Sequence, residues 1–204
     1  MAEGAHVGGD LYAVTRVPGR CTRIIVGDAR GHGLEAVPDA SRLINAFRET
    51  AHRWAPLPEI VADMEASVCR QLSELPEHET AVAEHLITAV VVEIPDDHGP
   101  ALMVNCGHPA PLLLHDGIVT ALEPCEFTPP LGLCEPKGCS RRVDPVPFTI
   151  GDTLLLYTDG VIEARATEGM FYPLAERVAF RTASGPDASL ATSATTCWHM
   201  SAGL

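Results

Sequence analysis

Three short acidic motifs hold the residues best suited to chemistry: Gly8-Gly9-Asp10, Gly27-Asp28-Ala29-Arg30-Gly31-His32-Gly33 and Tyr157-Thr158-Asp159-Gly160. Two of them, at Asp28 and Asp159, set an aspartate at the end of an apolar strand and beside glycine. Strand ends hold carboxylates rigidly, so several can converge on one point, and glycine lets a backbone carbonyl or a water come close. A few carboxylates, oxygen ligands and retained waters are the donor set of a hard divalent cation such as Mg²⁺ or Mn²⁺. On spacing alone, Asp-Gly after a strand also reads as an ordinary turn, and both readings stand at this point. The other potential ligands are less organised. The nine histidines are scattered without an H-x-x-x-H spacing. The seven cysteines are odd in number and include no C-x-x-C, so reduced thiols are expected and a zinc site is not.

The elements that must position these residues follow from pattern. Residues 11–17 and 21–27 flank Pro18-Gly19-Arg20 and read as a β-hairpin running into the glycine-rich turn. A helical face follows, with Leu34, Val37, Leu43, Ile44, Phe47 and Ala51, in which Pro38 is awkward because it lacks a backbone donor. Pro56 and Pro58 mark a break before a second helix with apolar positions from Leu57 to Leu75 at three-four spacing. That stripe reads as core packing, and the charged residues between its members read as a solvated face. Strands are expected over 86–94, 101–106, 111–115, 118–122, 141–149 and 153–157, with a tight turn at Asp116-Gly117. A short helix is expected around 171–181. Residues 188–204 carry no Asp, Glu, Lys or Arg and show no period, so an irregular tail is expected there.

Composition bounds the function. Of 204 residues, 46% are apolar, enough for a proper core, and the net charge is −13. An acidic chain with no basic run is a poor non-specific binder of nucleic acid or anionic membrane, so neither is expected as a partner. The longest apolar stretch, Leu86 to Val92, is far too short to span a bilayer. The first ten residues lack the basic and apolar regions of a signal peptide, and a cytoplasmic location is expected.

Taken in order, GGD-LYAV, VGDARGHGLEA, ITAVVVEI, NCGHPAPLLL, PPLGL and GDTLLLYTDGVIEAR resemble the SpoIIE/RsbU-like branch of the PPM (PP2C-type) metal-dependent serine/threonine protein phosphatases. The resemblance runs from about residue 7 to about residue 180, and six motifs in one order are far more specific than any one of them. It implies an α+β fold in which two antiparallel β-sheets form a sandwich flanked by helices. It implies a phosphatase domain over 1–183, with 184–204 an irregular, aberrant tail. It implies two Mn²⁺ or Mg²⁺ ions, bridged by Asp28, with the backbone carbonyl of Ala29 as a further ligand. Asp159 would bind one ion, and Asp10 would support the metals directly or through water. Asp28 and Asp159 would be the catalytic residues of a metal-assisted hydrolysis, with no phospho-enzyme. The usual substrate of this branch is a phosphorylated STAS-type anti-anti-sigma protein, and homodimerisation is left open. In relatives the helix pair after the GHG turn can reposition the metal-site loop, a role that would fall to residues 34–75 here.

Other motif residues read as structural. His32 and His108 would cap loops by hydrogen bonding, Asn105 and Gly107 would shape a turn, and Thr88 would belong to its strand. Arg30 reads as a surface arginine and Asp152 as a turn residue. The sequence departs from the family at one end. Members normally close with a strand preceded by an Asp-Asp motif that completes the second metal site. Here Asp187, 28 positions after Asp159, is the last acidic residue, and no strand pattern follows it. The last strand is therefore expected to be missing and the activity impaired. The competing function is a pseudo-phosphatase that binds the same partner without turnover.

Overall fold

A computed structural model of the chain describes residues 9–30, 36–74, 85–133, 141–163, 172–182 and 197–201. They divide into two compact units, one drawn from Met1–His108 with Pro124–Pro145, the other from Pro109–Glu123 with Val146–Leu204.

The first unit is built on a sheet in the order β1-β2-β3-β4-β7. Its strands are β1 (Asp10–Val17), β2 (Cys21–Ala29), β3 (Ile87–Pro95), β4 (Ala101–Cys106) and β7 (Asp144–Val146). The pairs β1–β2, β2–β3 and β3–β4 are antiparallel. β1 alternates strictly between exposed and buried residues, as an edge strand with one covered face should. The central strands β2 and β3 are buried along most of their length, which explains their nearly continuous apolar runs. Helices α1 (Val37–Thr50) and α2 (Leu57–Ser73) cover the face that carries Leu11, Ala13, Ile25 and Val91, and meet it with Leu43, Phe47, Ile60 and Met64.

Pro38 does not disturb α1. The helix starts at Val37, so the proline lies in the first turn, where its missing N–H has no intrahelical partner to lose. Pro58 does the same for α2, behind Pro56 at the N-cap. The expectation that every charge on α2 is solvated fails at Glu65, which is buried. Its carboxylate accepts the Gly132 amide (3.0 Å) and faces the buried guanidinium of Arg141 (3.3 Å), which also donates to the Pro129 carbonyl (2.9 Å). A second buried charge, Arg23, is fully enclosed. It pairs with its cross-strand neighbour Glu93 (2.7 Å) and donates to the carbonyls of Ala51, Arg53 and Ala55 at 2.9, 2.8 and 2.7 Å. The connection between α1 and α2 is thereby fastened to the sheet.

The second unit holds a four-stranded sheet in the order β6-β5-β8-β9. Its strands are β5 (Leu112–His115), β6 (Ile118–Ala121), β8 (Thr153–Tyr157) and β9 (Cys197–Ser201). All three of its pairings are antiparallel. Asp116 and Gly117 both adopt positive φ in the β5–β6 turn, as that turn type requires. The short helix α3 (Asp159–Glu163) follows β8, and α4 (Leu174–Thr182) packs Leu174 and Val178 against Leu112, Leu155 and Tyr157.

Two expectations are corrected. Residues 188–204 are not irregular throughout, because Cys197–Ser201 pairs antiparallel with β8 and fills the sheet position expected to be vacant. A five-residue edge strand is held by backbone hydrogen bonds and need not show a side-chain period. It supplies no carboxylate, since its sequence is CWHMS. The cysteines are not all reduced either. Cys21, Cys106 and Cys125 are free, but Cys69 is disulfide-bonded. Spacing motifs report on neighbours in sequence and miss a cysteine pair that folding creates. Cys134 and Cys139, the closest pair in sequence, lie outside the described residues.

Candidate metal centre

The β1–β2 hairpin sets the geometry of the acidic end. Its register places Asp10 directly opposite Asp28, and cross-strand partners project from the same face of a sheet. Asp10 is exposed and Asp28 half-buried. Ala29, one residue on, turns its side chain into the helical core, where it is almost fully enclosed. The alternation therefore sends the Asp28 carboxylate to one face while Ala29 anchors the strand through the other.

Gly9 closes the arrangement. Its carbonyl accepts the Ala29 amide at 3.1 Å. A Cβ at position 9 would lie 2.9 Å from both N and C of Ala29 and would collide with the Ala29 carbonyl oxygen. Only glycine lets the two backbones come this close. The result is two carboxylates in register and a backbone carbonyl beside them, all hard oxygen donors. That set fits Mg²⁺ or Mn²⁺ and suits no soft metal.

On the other side of β2, Thr88 is the register partner of Asp28. Its hydroxyl lies 3.5 Å from the Asp28 main-chain oxygen and 3.1 Å from Nδ1 of His108. Asn105 brackets His108, donating to its carbonyl (2.9 Å) and accepting from its amide (2.8 Å). Gly107 between them has φ +68°, and a Cβ there would press on the Pro130 ring at 3.1 Å. Asn105 and Gly107 thus form the turn that the sequence suggests. His32 lies outside the described residues, and Arg30 is exposed.

Asp159 belongs to the second unit. It is the exposed first residue of α3, directly after the fully buried Thr158. The Thr158 carbonyl accepts the Val161 amide (3.1 Å), while its hydroxyl is buried without a hydrogen-bond partner. Asp10, Asp28 and Ala29 are therefore brought together at one sheet end, and Asp159 is placed at a strand end of the other sheet. Among the described residues no group of three or more His, Cys, Asp or Glu side chains is gathered as a metal site. The polar line from Asn105 through His108 to Thr88 was not foreseen as a unit. Its signal in the sequence is a single hydroxyl in the apolar run Ile87–Val92.

The antiparallel two-sheet architecture matches that of PPM phosphatases, and the model of the family "Stage II sporulation protein E (SpoIIE)" matches residues 18–200. The chain belongs to the SpoIIE family of PP2C-type phosphatases. Among its relatives is the phosphoserine phosphatase RsbP of Bacillus subtilis, 27% identical over 167 residues, which cover 82% of this chain and 40% of RsbP. The crystal structure of the RsbU and RsbW domains of a Mycobacterium tuberculosis protein superposes with a TM-score of 0.65 at 29% identity, covering 90% of this chain and 47% of that one. The PP2C phosphatase domain of SpoIIE from Bacillus subtilis shares the fold, with a TM-score of 0.63 at 16% identity, covering 78% of this chain and 45% of that one. The chain thus spans less than half the length of each of these three proteins.

Proposed function

We propose that this chain is a Mn²⁺- or Mg²⁺-dependent phosphatase acting on phosphoserine or phosphothreonine of a regulatory protein, a STAS-type anti-anti-sigma factor. The observation that carries the reading is the register that pairs Asp10 with Asp28, next to Ala29, whose backbone packs closely against Gly9. Phosphatases of this family are metal-dependent, and a relative acts on phosphoserine. In this reading Asp28, with Asp10 and the Ala29 carbonyl beside it, would hold metal at the end of the first unit's sheet, and Asp159, at the end of β8 in the second unit, would serve as a further metal ligand. Bound metal would supply a water of lowered pKa for in-line attack and would neutralise the phosphoryl oxygens. The protein's part is positional. β1 and β2 hold the carboxylates on a hydrogen-bonded ladder, so little reorganisation is needed when charge develops. The phosphatase domain is assigned to 1–183, and the location to the cytoplasm. No helix among the described residues is long and apolar enough to cross a membrane.

The test is Mn²⁺-dependent hydrolysis of p-nitrophenyl phosphate and of a phosphoserine STAS protein, with Asp28→Asn as control. Turnover that requires Mn²⁺ and is lost in Asp28→Asn supports the proposal. A second reading, a binding module without turnover, is motivated by strand β9, whose residues CWHMS pair with β8 and supply no carboxylate. It predicts partner binding with no Mn²⁺-dependent rate. Hydrolysis of free phosphometabolites but not of phosphoproteins would refute both.

A further inference from the structure

We propose that Thr88 and His108 are positioning residues that aim the Asp28–Ala29 peptide at the metal centre. The inference rests on the reading of Asp28 and Ala29 as metal donors. β3 is apolar around Thr88, and a hydroxyl in such a place costs free energy unless it is hydrogen-bonded. Thr88 has two partners, the Asp28 main-chain oxygen (3.5 Å) and His108 Nδ1 (3.1 Å). A carbonyl oxygen only accepts, so the Asp28 contact uses the Thr88 proton, and the His108 contact complements it in the tautomer that carries the ring proton on Nδ1 and donates to Thr88 Oγ1.

The far end of this line is held by packing and hydrogen bonds. His108 is buried, and its own amide and carbonyl are both bound by the buried Asn105. The left-handed turn at Gly107 is packed against Pro130. A bracket at the end of β4 therefore meets β2, through Thr88 of β3, at the Asp28 main-chain oxygen. That atom is the oxygen of the peptide joining Asp28 to Ala29. Turning this peptide plane changes both the direction of the Asp28 carboxylate and the orientation of the Ala29 carbonyl. Contacts that orient metal ligands in this way commonly change metal affinity by ~10–100-fold when removed.

The experiment is calorimetric titration of the metal-free chain with Mn²⁺, paired with thermal melts of the same metal-free samples. Thr88→Val keeps the shape and removes the hydroxyl, and His108→Leu removes the ring donor. Each is expected to weaken Mn²⁺ binding by about tenfold or more. The double variant should be no weaker than the worse single one, because both cut the same line. Thr88→Ser and His108→Asn, whose amide can donate from the place of Nδ1, should bind Mn²⁺ as the parent does. Thr88→Val with parental affinity overturns the inference, as does a serine or asparagine variant as impaired as its apolar counterpart. Asp28→Asn separates the levels of failure. If the parent binds Mn²⁺ and Asp28→Asn does not, unchanged Thr88→Val binding overturns the positioning role alone. A parent that binds no Mn²⁺ overturns the metal reading, and the positioning role with it.

Discussion

Replacing Gly9 with alanine tests the metal centre with a single methyl group. A Cβ at this position would stand 2.9 Å from Ala29 N and C and would overlap the Ala29 oxygen. Comfortable separations between such atoms are ~3.5–4 Å, so one backbone must yield by roughly 1 Å. The Ala29 N–H to Gly9 carbonyl bond, 3.1 Å long, stretches with it. Overpacking of this kind costs about 1–3 kcal/mol, and the weakened hydrogen bond adds about 1 kcal/mol. The variant should therefore fold, with a stability loss of about 2–4 kcal/mol in urea unfolding. Catalysis is far more sensitive, since displacing positioned groups by ~1 Å costs on the order of a hundredfold in rate. The assay is kcat/KM for p-nitrophenyl phosphate at saturating Mn²⁺, with Mn²⁺ affinity measured alongside. Gly19→Ala is the control. It sits in the turn at the other end of the same hairpin, with no atom within 4 Å of a new Cβ and φ +70°. It should lose about 1–2 kcal/mol for the left-handed backbone and keep the parental rate. A Gly9→Ala chain with parental rate and Mn²⁺ affinity would refute the claim that chemistry depends on the Ala29 carbonyl.

Arg23→Met should be costly although it lies away from the site. It strands the buried Glu93 and three carbonyls in the α1–α2 connection. Breaking a buried pair on one side costs about 3–5 kcal/mol, readable as a lowered urea midpoint, whereas a loss below about 1 kcal/mol would show that the clamp is not needed. Stability should also depend on pH through His115 and Asp152. Burial pushes the Asp152 pKa up, but bonds from His115 and from the Thr149 amide and hydroxyl outweigh it, and the carboxyl ends below its ordinary 3.8. His115 is raised above 6.5, first by its 2.6 Å bond to Asp152 and then by the charges of Asp152 and Asp116. The Asp152 contribution is present above 3.8 and is lost as pH falls through its lowered value. The His115 contribution is complete below 6.5 and is lost as pH rises through its raised value. The urea midpoint should therefore fall as pH rises above 6.5 through the raised His115 value, and His115→Gln should flatten that part of the profile. A variant with the parental pH profile would count against the pair.

The sequence made the local features readable and hid the long-range ones. The hairpin of residues 11–17 and 21–27 is readable because its turn signal, Pro18-Gly19-Arg20, is local, whereas the nearness of Asp10 to Asp28 is implied by the family resemblance and the register sets the two opposite each other. The helical stripe on α2 was visible for the same reason, since its period is local. Arg23, Glu93, Glu65 and Arg141 were not visible. A charged residue in a strand or helix normally marks a solvated face, and only the fold reveals that each has a partner far away in sequence. Pro38 is awkward only in a helix that begins near Leu34, and α1 begins at Val37. The strand at Cys197–Ser201 escaped because its reason to exist is the open side of β8. Thr88 lies in β3 as its β-branched run suggests, but its link to His108, 20 residues away, is created only by the pairing of β3 with β4.

The order of the strands also bears on how the chain folds. β1–β2 and β3–β4 are hairpins closed by short turns, yet the central ladder between β2 and β3 joins across residues 30–86, which hold both helices. Closing that span costs roughly 2–3 kcal/mol more conformational entropy than closing a three-residue turn. The two hairpins can therefore zip early and independently, while their union waits for α1 and α2 to collapse. The rate-limiting event is expected at this joint, which is also the rung where Asp28 meets Thr88. The acidic end would then be among the last parts of the first unit to take shape, assembled in the same step that docks the helices.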